Sequence, residues 1–212
     1  MIRSIGRRDF LIVTTGSALL GSLVTHGKTP SGQAGQGGLP LSAQAQPPPK
    51  PNLPRILALF SYGMGIYYFN PAGLYINLGQ SVQWAGVGRY PVSAYHPSLG
   101  NHELRIPEAA KPFTSRTASG AEDGMFTWTF DVEGTYDYYS EPHEALGMVG
   151  RIVVGKPGGP AEKPPGYGNR EGRAVMYSDA ARLLNFLKPD EIVRQKVVPC
   201  PLQLLERKFP WR

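Results

Sequence analysis

Hydrophobic and polar residues alternate in short runs through the middle of the chain. These runs are rich in β-branched and aromatic residues, and turn signals such as Asn70-Pro71, Leu78-Gly79 and Glu133-Gly134 separate them at spacings of roughly 8 to 12 residues. The runs read ILALF, GIYYF, LYINL, SVQWAG, FTWTFDV, TYDYYS and GRIVV. The pattern predicts an all-β fold, a β-sandwich of seven or eight short strands over residues 56–155.

One segment gives a prediction for individual side chains. In LYINLGQSVQW, Ile76, Leu78, Val82 and Trp84 fall at alternate positions with one turn between them, as in two strands that each bury one face. The long interval 96–121 contains three prolines and predicts a loop that crosses one edge of the sandwich.

The N-terminal segment has the pattern of an export signal. Arg7 and Arg8 precede an uncharged, mostly apolar run from Phe10 to Val24, and Ala43–Ala45 is a small-residue cleavage candidate. It resembles a twin-arginine signal, and the run is shorter than the roughly 20 residues that a membrane-spanning helix needs. We therefore expect residues 1–45 to be a signal peptide and tether of an exported protein, periplasmic or extracellular, that is membrane-tethered if the signal is not cleaved.

Two linkers and a C-terminal extension complete the organisation. Residues 46–55 form a Pro-rich linker and residues 156–172 a Gly/Pro-rich one. In the basic extension 173–212, Ser178 is a candidate cap for a helix over Asp179–Leu187, and Pro189 begins a second helix with an acidic first turn. The sequence leaves open whether this mainly helical extension packs on the domain or binds a partner, such as a membrane-associated one.

Charge and motifs exclude several classes of function. The chain carries 22 Lys+Arg and 16 Asp+Glu, but residues 46–155 contain more acids than bases, so the positive charge belongs to the two ends. A nucleic-acid role is not indicated, because no basic stripe interleaved with aromatic residues occurs in the central segment. No nucleophile elbow, HExxH motif or phosphate loop is present, so neither an enzyme nor a small-molecule substrate is implied. The single Cys200 allows no internal disulfide.

The residues with candidate chemistry lie in a loop between the last two predicted strands. GTYDYYSEPHEALGMVGRIVV contains His143 and Met148 five residues apart, with Pro142, Gly147 and Gly150 around them. This stretch resembles the ligand loop of the cupredoxins, specifically the plastocyanin and halocyanin-like branch. The resemblance extends back through YYFNPAGLYINLGQSVQW and covers about half of the chain.

The resemblance implies a Greek-key sandwich that binds copper and transfers electrons to a redox partner protein. It assigns His143 and Met148 as metal ligands, because a loop of this kind presents an imidazole nitrogen and a thioether to one ion. Two family ligands are replaced here: Ser140 stands at the cysteine position and Tyr90, in WAGVGRYPVSAYHP, at the first histidine position. A serine hydroxyl is a hard, neutral donor and cannot supply the thiolate of a blue site.

These departures predict an altered copper site, either non-blue or weak. His96 is a candidate third ligand if its loop turns toward His143, and otherwise an ordinary loop histidine; His102 is expected to face solvent. Cys200 is either a donor from the extension or an inert or intermolecular thiol. The alternative hypothesis is a metal-free interaction module that retains the cupredoxin fold.

Overall fold

The computed structural model describes residues 53–117, 124–168 and 173–206. The expected signal peptide, its tether, most of the linker 46–55 and the last six residues of the extension therefore lie outside the described residues. Among the residues that are described, no helix is long and apolar enough to cross a membrane.

The described chain folds as two stacked β-sheets followed by short helices, which confirms the predicted all-β class. One sheet has the strand order β2-β1-β4-β6 and the other β5-β7-β8-β3-β9. The strands are β1 Arg55–Ser61, β2 Ile66–Asn70, β3 Gly73–Ile76, β4 Ser81–Ala85, β5 Ser93–Ala94, β6 Met125–Thr129, β7 Gly134–Tyr139, β8 Val149–Val154 and β9 Val197–Val198. The helices are α1 Ser178–Phe186, α2 Pro189–Gln195 and α3 Leu202–Leu205.

An aromatic cluster forms the core between the two sheets. Trp84 is fully buried, with the ring centroids of Phe113, Phe126 and Tyr138 each 5.5 Å away. Ile76, Val82 and Trp84 are buried as their alternation predicts. Leu78 is 51% exposed, so that prediction is wrong: β3 ends at Ile76, and the following residues form a turn outside the strand register.

The C-terminal extension packs on the outer face of the five-stranded sheet. β9 pairs with β3, and buried side chains of α1 and α2 join Val149 and Val153 of the sheet in a second apolar cluster. All residues of β7 and β8 are consequently buried, although a strand with one solvated face would alternate. Both predicted helices are present, but Tyr177 occupies the cap position of α1, and Ser178 is its first residue.

A buried charge network joins the extension to the sheet. The carboxylate of Asp137 accepts hydrogen bonds from Arg105 Nε at 2.7 Å and Arg151 Nε at 2.6 Å. The same guanidinium groups reach the later part of the chain, because Arg151 donates to the carbonyl of Leu187 and Arg105 to that of Ala161. Asp137 thus holds two arginines that bind backbone carbonyls outside the sandwich.

Candidate metal centre

The ligand loop, residues Ser140–Met148, connects β7 to β8 and contains a turn of 3₁₀ helix over Glu141–Leu146. Three backbone hydrogen bonds connect its candidate ligand positions in pairs. The amide of His143 donates to the carbonyl of Ser140, that of Ser140 to Met148, and that of Met148 to His143, over 2.9 to 3.1 Å. Gly147 ends the turn with a φ of 83°, a left-handed conformation that favours glycine. The loop therefore holds the three positions in one compact unit.

His143 lies between two aromatic rings. The ring of Tyr67 stacks on it with centroids 4.0 Å apart and planes 21° from parallel, and the ring of Tyr90 meets it edge-on at 5.3 Å. Nδ1 of His143 is buried and has no hydrogen-bond partner among the described residues. Burial lowers the pKa of His143 below its usual value, so the imidazole is held in the neutral form that can bind a metal.

Ser140 and Met148, the two end residues of the loop, are both fully buried. Within the described part of the chain, the hydroxyl of Ser140 is another buried polar group without a hydrogen-bond partner, and such a group costs free energy unless a water or ion satisfies it. Met148 packs in the core cluster that also contains Tyr90. This places two polar atoms without partners, Ser140 Oγ and His143 Nδ1, on the same turn.

The sheet register identifies a neighbour of Ser140 that sequence reasoning missed. In the antiparallel ladder of β5 and β7, Ser93 pairs with Tyr139 and Ala94 with Tyr138. Continuing this ladder by one residue places Val92 opposite Ser140, where Cβ atoms of paired residues lie about 4.5–5.5 Å apart. Val92 is fully buried, so Val92 is a second candidate, beside Tyr90, for the position that corresponds to the family's first histidine.

His96 belongs to a separate turn. Its Nδ1 accepts a hydrogen bond from the Ser98 amide at 3.1 Å and lies 2.8 Å from the Ser98 hydroxyl. Burial lowers the pKa of His96 as well. These local bonds satisfy one ring nitrogen, so participation of His96 in a metal site remains a prediction that requires its loop to change.

His102 is buried, so the expectation that it faces solvent is wrong. Its ring packs against Tyr95 and Tyr139, with centroids 5.1 and 4.5 Å away. Its Nε2 is 3.4 Å from the carboxylate of Glu144, and the hydroxyl of Tyr95 donates to the same carboxylate at 2.7 Å. Burial raises the pKa of Glu144 to about 7. Glu144 belongs to the ligand loop, so this cluster fastens the loop to the core from one side.

Cys200 lies in the extension near the start of α3. Its amide donates to the side-chain oxygen of Asn70, and burial raises the pKa of its thiol to about 12. A protonated thiol is a poor metal ligand and a poor nucleophile. This environment fits the inert-thiol hypothesis.

The donor set at the ligand loop does not fit a blue-copper centre. Such a centre needs a thiolate and two imidazoles, whereas the loop offers one imidazole, one thioether and a hydroxyl. Within the described ranges, no group of three or more His, Cys, Asp or Glu residues is placed to hold a metal ion. His143 and Met148 with the Ser140 hydroxyl fit at most a weak site for copper.

Comparisons with known proteins find similarity to one family over the central part of the chain. Residues 61–155 match the model of the copper binding proteins, plastocyanin/azurin family. Over these residues, the chain is similar to the cupredoxin family. The chain is 30% identical over 97 residues to chloroplastic plastocyanin of Tetradesmus obliquus, covering 42% of this chain and 60% of the relative. It is 28% identical over 100 residues to halocyanin of Natronomonas pharaonis, covering 47% of this chain and 55% of the relative.

The matched region is the sandwich and its ligand loop. The chain spans only 60% of the length of the first of those relatives. Among solved structures, it is similar to pseudoazurin of Methylobacterium extorquens AM1, with 25% identity, a TM-score of 0.39 and coverage of 50% of this chain and 76% of that one. The family match ends at residue 155, so the packed extension lies beyond it.

Proposed function

We propose that this chain is an exported cupredoxin that binds copper through an altered, non-blue site of low affinity. The family is one of copper-binding, electron-transfer proteins rather than enzymes, and a copper ion bound here would supply one-electron redox chemistry. His143 and Met148 would hold the ion. The observation that carries the proposal is the buried Nδ1 of His143, which has no hydrogen-bond partner in the described chain, because a neutral buried imidazole nitrogen is a good copper donor.

Ser140 determines which kind of copper site is proposed. A buried hydroxyl gives no charge-transfer colour and no soft anionic ligand. Copper held mainly by one imidazole and one thioether would therefore bind weakly and lack blue colour. A redox partner protein is part of the proposal, as is a membrane-associated partner for the basic extension.

A metal-free interaction module is the second candidate. The rings of Tyr67 and Tyr90 pack against the imidazole of His143. Neither ring belongs to the expected ligand set, and this environment favours a contact role for the loop over metal binding. In this case the ligand end of the domain would serve as a contact surface for a partner.

Copper titration distinguishes the two candidates. The purified protein, His143→Ala and His96→Ala are each titrated with Cu(II), and binding is followed by calorimetry and electron paramagnetic resonance. We expect one Cu(II) per wild-type chain, a loss of affinity of about ten-fold or more in His143→Ala, which removes a principal ligand, and wild-type affinity in His96→Ala. Loss in both variants would assign a three-donor site with His96. Equal binding by wild type and His143→Ala would exclude the proposed site, and no binding by wild type would support the metal-free module.

A further inference from the structure

The C-terminal extension reaches the back of the ligand loop. A methyl group placed on Gly147 would lie 2.6 Å from Leu205 Cδ2 and 3.4 Å from Asp179 Cβ. Leu205 belongs to α3 and is 3% exposed. The end of the loop is thus in direct contact with a buried side chain more than fifty positions later in the sequence.

Leu205 is itself held in place. It packs in the apolar cluster with Leu183 and Leu184 of α1 and with Val149, the residue that follows the ligand loop. The extension is further fixed by the bond from Arg151 to the Leu187 carbonyl and by the pairing of β9 with β3. A side chain with this many constraints is a rigid stop for the residue it contacts.

A second attachment of the loop involves Glu144. Tyr95 and His102 contact the carboxylate of Glu144, and the amide of Gly147 donates to the Glu144 carbonyl at 2.8 Å. The loop is therefore held by a polar attachment to the sandwich and by an apolar contact with the extension. Met148, one residue beyond Gly147, receives its position from both.

We propose that the extension is a built-in clamp that fixes the ligand loop, with Leu205 as its positioning residue. Leu205 acts through Gly147 on the backbone that carries His143 and Met148. The clamp lies outside the region of the family match, and it operates whether or not copper binds. This role goes beyond the proposed function, because it concerns the conformation of the loop rather than its ligand.

Native-state hydrogen exchange of the full chain tests the clamp. In Leu205→Ala, the amides of His143, Gly147 and Met148 should exchange about ten-fold faster or more, through local opening of the loop. Ile192→Ala is the matched control: Ile192 lies in the same apolar cluster but packs on Gly73, whose added methyl would lie 2.9 Å from its Cγ1. The control should change exchange of the loop amides no more than that of the core strands.

Two further variants keep the test decisive. Leu205→Met preserves side-chain volume and should restore wild-type exchange, and Leu205→Val provides a milder truncation if the alanine variant does not fold. Equal acceleration of the loop amides in Leu205→Ala and Ile192→Ala, or no acceleration in Leu205→Ala, would overturn the proposal. Cu(II) binding is measured in parallel: absence of copper binding by wild type would count against the proposed function alone and leave the clamp standing.

Discussion

Replacement of Asp137 by asparagine should destabilise the protein strongly. The carboxylate is fully buried and accepts three hydrogen bonds, one from Arg105 and two from Arg151, at 2.6 to 2.8 Å. Asp137→Asn keeps the shape of the side chain. Among the described residues, it leaves the two buried guanidinium groups with only Glu103 as a charged partner, at Arg105 Nη1. Removing one member of a buried ion pair costs about 3–5 kcal/mol. This is a large share of the free energy of unfolding of a typical folded protein, which is about 5–15 kcal/mol.

Urea unfolding at pH 7 measures this effect, with the free energy of unfolding obtained by linear extrapolation. Glu141→Gln is the control, because Glu141 pairs with Arg116 at 2.6 Å while both side chains are about half exposed. An exposed pair of this kind contributes less than about 1 kcal/mol. If Asp137→Asn were no more destabilising than Glu141→Gln, the network could not be what joins the extension to the sheet.

Three further predictions follow from the described contacts and from the N-terminal motif. Burial raises the pKa of the Cys200 thiol from 9.0 to about 12. The thiol should therefore react with iodoacetamide at pH 8 about a thousand-fold more slowly in the folded protein than in urea, and the folded-state rate should rise about ten-fold per pH unit up to pH 11. Equal rates in the folded protein and in urea would contradict the burial of this thiol. Tyr95→Phe removes the hydroxyl that donates to the buried Glu144 carboxylate and should lower the free energy of unfolding by about 1–3 kcal/mol; unchanged urea midpoints would show that the bond contributes nothing. Replacing Arg7 and Arg8 with lysine should retain the protein in the cytoplasm, as assayed by cell fractionation against wild type; normal export would exclude the twin-arginine route.

The strand pattern was sufficient for the fold because alternation and turn signals are local properties. Burial of Ile76, Val82 and Trp84 follows from the alternation of side chains along a strand. The predicted burial of Leu78 was wrong because the pattern does not show where a strand ends. Alternation alone predicts one solvated face for β7 and β8. Both faces are buried because the extension, which is distant in sequence, covers the outer one.

The candidate ligands of the loop could be named from the sequence because they are close together in it. The residues around the loop could not be named in this way, since they come from other strands. Tyr67 shares a face of β2 with Phe69, which alternation could have indicated, but its stacking on His143 depends on how the two sheets are packed. His102 lies in a proline-containing interval that gives no periodic signal, and Val92 becomes a neighbour of Ser140 only once the β5–β7 register is known.

The visible absorption spectrum of the Cu(II)-loaded protein tests the central claim most directly: that the cupredoxin scaffold is intact and its ligand set is altered at Ser140 and at one missing histidine. Spectra are compared for wild type, for Ser140→Cys with Val92→His, and for Ser140→Cys with Tyr90→His. We predict no thiolate-to-copper band at about 600 nm in wild type. We predict such a band in the double variant that carries Val92→His, the position opposite Ser140. A band in the Tyr90→His double variant instead would assign the missing histidine to Tyr90. A blue wild-type protein, or copper-loaded double variants that both remain colourless, would contradict the account.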